Sequence, residues 1–191
     1  MRELTQQFKL LNTSIWRCIG RFLLIILCSF GLPISHPVAK ADNMLEYQVK
    51  AAFIYNFIAF TQWPENTDPV INLCLYGVDY FGQEIDKLQN RAVGTQSIKV
   101  MHINSINQLQ QCQVIFFSKS TDNALASIVN SLQNRPILTL ADTPNAISRG
   151  IIINMNLINE KIVFEINLAN ARKSGLDISS KLLQLATKVH Q

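Results

Sequence analysis

The run AAFIYNFIAFTQWP, Ala51 to Pro64, has helical length yet is apolar on nearly every side. A helix on the surface of a globular domain keeps a polar face, and one that is hydrophobic all round must be covered on more than one side. Taken back to residue 44, the segment reads as a helix over 44–61, stopped by Trp63-Pro64, with two apolar stripes at helical spacing. Leu45, Val49, Ala52, Phe53, Phe57 and Phe60 make one stripe, suited to covering a sheet. Tyr47, Ala51, Ile54, Tyr55 and Ile58 make the second, which needs either a neighbouring helix or another polypeptide. Burying a single phenylalanine stabilises by roughly 1.5–3 kcal/mol, so neither stripe is expected to stay wet.

Beyond Pro64 the chain alternates between strand and helix patterns. Strands are expected at 71–78, 97–103, 114–117 and 136–140, and helices at 79–89, 105–111 and 121–132. GIIINMNLINEKIVFEINL then reads as a hairpin turning at Asn159-Glu160-Lys161, and helices at 167–173 and 179–189 close the chain. Alternating strands and helices succeeded by a hairpin predict an α/β layered sandwich, a central mixed β-sheet flanked by helices. There is no repeat or long linker, so residues 42–191 are expected to form a single domain.

The net charge of +4 is unevenly placed. Five of the 17 basic and one of the 13 acidic side chains fall within residues 1–41, leaving twelve of each in the remainder. A neutral folded part lacks the basic face of a nucleic-acid binder. Residues 1–41 have the pattern of an export signal: arginines 17 and 21, the apolar run FLLIILCSFGL, then Ala39-x-Ala41 before Asp42. An apolar run of this length falls short of the ~20 residues that span a bilayer; an uncleaved anchor starting near Ile15 is the alternative. The reading is a periplasmic protein without stable membrane insertion after cleavage.

Catalytic signals are missing from the folded part. His102 lies on a strand and His190 near the end, neither beside a nucleophile, and there is no nucleophile elbow, phosphate loop or metal-binding cysteine set. No catalytic residue, metal or cofactor is expected. Asp79, Asp86, Asp142 and Glu165 sit on separate elements. Tyr76, Gly77 and Asp79 stand where open α/β sheets bind ligands, after a strand, so they form either a ligand crevice or a tight turn. Glu165 shares a strand face with Val163 and Asn167, as a solvated edge charge or as a polar anchor at an interface. Export would leave Cys74 and Cys112, on separate strand-like runs, either bridged or as two buried thiols.

Five segments in fixed order resemble the YfiR family of small periplasmic regulators: VKAAFIYNFIAFTQWP, LCLYGVDYFG, CQVIFFS, PILTLAD and IVFEINLANARKSGLDISSKLLQLA, from about Tyr47 to Ala186. The resemblance implies a dimerising α/β sandwich without enzymatic activity. It would bind the periplasmic sensor domain of an inner-membrane diguanylate cyclase of the YfiN type, lowering cyclic-di-GMP and biofilm formation. Cys74 and Cys112 match cysteines of that pattern, which favours the bridge, and Glu165 and Asn167 match its FEINL signature, which favours an interface. The expected partner- or dimer-facing set is Tyr47, Ile54, Tyr55, Ile58, Glu165 and Asn167. Two departures stand out: Arg149 precedes Gly150 where the family often has Gly-Gly, and a second cysteine pair near the hairpin is absent. The competing reading is a periplasmic small-ligand sensor or solute-binding module that uses the crevice after Tyr76-Gly77 and acts on another membrane sensor.

Overall fold

The computed structural model describes residues 38–64, 68–132 and 134–191. The leader expected over residues 1–41 therefore lies outside the described residues, save for 38–41, which begin helix α1 (Val38–Ala59). Residues 39–191 form one compact unit.

An eight-stranded sheet runs through the centre, in the order β10-β8-β7-β6-β5-β2-β4-β3. Its heart is five parallel strands: β4 (Gln96–Ile103), β2 (Val70–Tyr76), β5 (Val114–Phe117), β6 (Leu138–Ala141) and β7 (Ile153–Ile158). Strands buried on both faces read as continuous apolar runs, and VIFF of β5 is buried at all four positions. The edges are mixed: β3 (Ala92–Val93) pairs antiparallel with β4, and β8 (Lys161–Asn167) antiparallel with β7. The β7–β8 turn places Asn159 and Glu160 at positive φ, as a two-residue hairpin turn requires. A separate two-stranded ladder joins β1 (Thr61–Gln62) to β9 (Asp177–Ile178).

Alternation along the strands divides the core in two. Leu73 and Leu75 of β2, Val114 and Phe116 of β5, Leu138 and Leu140 of β6, and Phe164 and Ile166 of β8 face α1. Phe57 meets Phe164 edge-on at 5.0 Å between ring centroids. Short helices α2 (Gln83–Asp86), α4 (Leu168–Lys173) and α5 (Ser180–Leu185) complete this layer through Ile85, Leu168 and Leu182. The opposite face, with Cys74, Ile115, Phe117 and Ala141, is covered by Leu109 of a 3-10 turn at Ile106–Gln111 and by Leu125, Ile128 and Val129 of α3 (Leu125–Ser131). The structure is thus the expected α/β layered sandwich with a mixed sheet.

Differences from the sequence reading arise where tertiary bonds override local preference. The helix expected over 79–89 shrinks to α2, because Gly82 at φ 54 breaks the chain just before it. The helix expected over 121–132 begins as a 3-10 turn at Lys119–Ala124. The final helix ends at Leu185, and Lys188–His190 extends into β10, parallel to β8. Thr187 fixes that change of course: its N–H and its hydroxyl both donate to the Phe164 carbonyl, at 2.9 Å each. β1, β3 and β9 are too short to carry a periodic signal.

Cys74 and Cys112 are bridged, with a Cα–Cα distance of 6.0 Å. Both are buried, within the core cluster against which Tyr76 and Met101 pack. The bond closes a loop across 38 residues, for which chain-entropy reasoning gives a contribution of about 4 kcal/mol. Reducing the oxidised protein should therefore lower its unfolding free energy by about 2–4 kcal/mol in urea titrations with and without dithiothreitol. An unchanged midpoint would mean that the bridge adds nothing to stability.

Candidate functional site

In open parallel sheets, ligand sites form past the carboxyl ends of the strands, where successive crossovers leave in opposite directions. Here that point lies between β2 and β5, since the chain moves from β2 outward to β4 and then returns to the other side of β2. The loops there fill the space themselves. Gly77, at φ +100, lies so close to the next loop that an added Cβ would sit 2.5 Å from Ser118 Oγ and 2.6 Å from Ser120 Oγ. Val78 N–H donates to Ser120 Oγ at 2.8 Å, and the Ser118 and Ser120 hydroxyls share a bond of 2.7 Å. Tyr76 packs edge-on against Phe117, and Asp79 accepts the N–H of Phe81 at 2.7 Å in a local turn. These three residues build a tight loop.

A buried ionic anchor lies at the same edge. Asp142, the residue after β6, has a side chain only 1% exposed, and Lys50 of α1 is 3% exposed. Lys50 Nζ donates to Asp142 Oδ2 at 2.6 Å and also binds Glu46 one turn back on α1. Tyr47 OH donates to the same Asp142 oxygen at 2.8 Å. A buried ammonium demands such partners, because an unpaired one would neutralise or unfold its site. Burial, and then the Asp142 carboxylate, hold the Tyr47 hydroxyl protonated far beyond the usual phenol range. Tyr47 in turn stacks on Tyr80 and meets Phe81 edge-on.

The other face of the sheet carries a polar row over β7, β8 and β10. Glu165 accepts Asn156 Nδ2 on one oxygen at 3.1 Å and meets His190 Nε2 with the other at 2.9 Å. Asn156 Oδ1 accepts from Asn154 Nδ2 at 3.1 Å, and Asn154, 1% exposed, exchanges bonds with the backbone of Thr143. The row thus passes from a buried amide to a carboxylate and an imidazole that are each about a quarter exposed. Its fixed orientation comes from bonds on both Glu165 oxygens.

The residues expected to face a partner are distributed differently by the fold. Tyr47, Ile54 and Ile58 are fully buried in the core beneath α1. Tyr55 is half-buried, donates to the Ala92 carbonyl at 3.1 Å and carries the Arg91 guanidinium 3.7 Å from its ring centroid. Phe57 of the first stripe joins the core, whereas Leu45 is 62% and Val49 37% exposed. The helix is therefore rotated from the orientation that apolarity alone suggests: most of the second stripe covers the sheet and much of the first faces out. Asn167 caps α4 by accepting Asn170 N–H at 2.9 Å. Sequence reasoning misses Lys50, Asn154, Asn156 and the pairing of His190. Only Lys50 leaves a signal: a lysine three residues past Tyr47 and four before Ile54 lies on their face, and so points to a buried counter-ion.

Fold and site define a small α/β domain with a tight loop after β2, an ionic anchor under its first helix and a partly exposed polar row. A family model described as YfiR/HmsC-like matches residues 47–187, and the chain belongs to that family of periplasmic regulators. Among solved structures, a conserved domain protein from Vibrio cholerae is similar at 11% identity and a TM-score of 0.52, over 75% of this chain and 60% of that one. An ABC domain in complex with L-Trp from Streptococcus pneumonia aligns at 10% identity with a TM-score of 0.49 over the same shares, too low to argue from. The first likeness concerns the fold alone. Among the described residues no helix is long and apolar enough to cross a membrane.

Two measurements check the anchor. Lys50→Met or Asp142→Asn should each destabilise by about 2–4 kcal/mol, because the buried charge left behind loses one of its two partners and keeps only the Tyr47 hydroxyl or Glu46. The double substitution should cost clearly less than the two losses added together, as read in a denaturation cycle. Tyr47 binds its proton more tightly folded than unfolded, so stability should fall as pH rises past about 10, where the unfolded phenol ionises. Tyr47→Phe should remove its share of that alkaline loss.

Proposed function

We propose that this chain represses an inner-membrane diguanylate cyclase by binding its periplasmic sensor domain, thereby lowering cyclic-di-GMP and biofilm formation. Membership of a family of periplasmic regulators supports the reading. The observation that carries it to a surface is Glu165, held through both oxygens by Asn156 and His190 on a strand face where it remains partly exposed. A carboxylate fixed in this way is pre-organised for a charged or hydrogen-bonding partner, since its side chain has little freedom left to lose on binding. The protein acts by contact, without catalysis. Against the small-ligand alternative, Ser118 and Ser120 occupy the space beside Gly77.

Deleting the gene should raise cellular cyclic-di-GMP. Wild-type chain should restore the low level, and a form lacking residues 1–41 should not, because it stays on the wrong side of the membrane. Glu165→Arg should accumulate normally yet bind the sensor domain about tenfold or more weakly. Unchanged cyclic-di-GMP on deletion would overturn cyclase repression, and full activity of Glu165→Arg would remove the polar row from the interface.

A further inference from the structure

We propose that Asn154 is a positioning residue that ties the order of Glu165 to the buried anchor beneath α1, so that the two faces of the sheet respond to one another. The coupling is a property of this chain and does not depend on which protein meets either face.

The tie begins where β6 stops. β6 ends at Ala141, opposite Asn154, whereas β7 runs on to Ile158. The next two residues are therefore free of the ladder and are held from different sides. Asp142 sends its carboxylate under α1, to Lys50 and Tyr47. Thr143 presents its backbone to Asn154, whose side chain lies away from α1, since its neighbours Ile153 and Met155 face the helix. The Thr143 N–H donates to Asn154 Oδ1 at 3.2 Å, and its carbonyl accepts Asn154 Nδ2 at 3.0 Å. One peptide bond thus separates a residue gripped by the helix from one gripped by the amide.

The residue type is what makes Asn154 a link. A carboxamide offers an acceptor oxygen and two N–H donors, and here all of them are used. The same nitrogen that binds Thr143 also donates to Asn156 Oδ1 at 3.1 Å, and Asn156 donates in turn to Glu165 at 3.1 Å. Both side-chain bonds run from donor to acceptor in one direction, toward the carboxylate. Neither amide can turn over without setting N–H against N–H or oxygen against carboxylate, and bonds aligned in series polarise one another. Leucine has nearly the shape of asparagine and can make none of these bonds.

The junction and the far end both leave room for a response. At the junction, Asp142 Oδ1 and Thr143 Oγ1 are buried without a partner among the described residues. Unpaired buried oxygens are costly, so the segment keeps its place through the bonds on either side of it. When the helix side loosens, the segment shifts, and Asn154, bound to it twice, shifts with it. At the far end Glu165 meets His190 of β10, a strand of three residues paired only with β8. A displaced Glu165 is therefore felt in the docking of that strand.

The test uses 15N-labelled protein, expressed with its leader and purified with the Cys74–Cys112 bridge intact. Tyr47→Phe removes one bond to Asp142 and no charge at neutral pH. It should move the side-chain amide signals of Asn156 and quicken hydrogen exchange of the Val189 amide in β10 by about threefold or more. In an Asn154→Leu background, or in Asn156→Ala should the first fail to fold, adding Tyr47→Phe should leave Val189 exchange unchanged. Phe57→Leu, a core change beneath α1 with no bond to Asp142, should leave the Asn156 signals in place. Coupling is reciprocal, so Glu165→Gln should move the backbone amide signal of Thr143. Unmoved Asn156 and Val189 signals in Tyr47→Phe, or an unmoved Thr143 signal in Glu165→Gln, would overturn the proposal. So would an undiminished response with the link cut, or an equal response to Phe57→Leu, which would mean a general loosening of the fold.

Discussion

A lysine removed from water must be met by carboxylate oxygens, and that demand fixes how α1 lies on the sheet. Lys50 finds Asp142 at the end of β6 and Glu46 on its own helix. With Tyr47 bound to the same aspartate, the helix can neither roll nor slide along its axis without breaking two bonds to one buried oxygen. Apolar burial alone tolerates small shifts, because one methyl group is much like the next. The ionic anchor does not, and so it decides that Ile54, Phe57 and Ile58 point inward while Leu45, Val49 and Ala52 point out. Buried ion pairs are weak as net stabilisers but costly to break, and their contribution here is to position.

The sheet was legible in the sequence because its signals are redundant. Val114–Phe117 is apolar throughout, and Asn159-Glu160 interrupts two alternating runs at the required point. The rotation of α1 was not legible, for a physical reason. A helix with apolar side chains nearly all round gives almost no moment from which to orient it, and only Lys50 broke the tie. β10 was hidden likewise, since the segment reads as helix until Thr187 is caught by the Phe164 carbonyl, a partner 23 residues away. Of the candidate site, Glu165 stood out on its strand face. Asn154 and Asn156 did not, because asparagines within a hairpin read first as turn or edge residues.

The two surfaces are built by opposite means. The Glu165 row is polar, fixed by hydrogen bonds, and derives its order from a buried amide behind it. The α1 face is apolar and gains its order from the rigidity of a helix anchored from beneath. The two lie on opposite faces of one sheet. At the carboxyl edge between them, serine hydroxyls pack against Gly77 and fill the space beside it.

The bridge between Cys74 and Cys112 also has a mechanical consequence. Tension drawn along the backbone from α1 toward the carboxyl-terminal half would reach Cys74 and pass straight to Cys112. The intervening stretch, which contains α2 and the β3–β4 edge of the sheet, would feel none of it. That edge is thus shielded from load and can be peeled only from within its own loop. A pull on one surface would instead be carried through β2 and β5, neighbouring strands at the centre of the sheet.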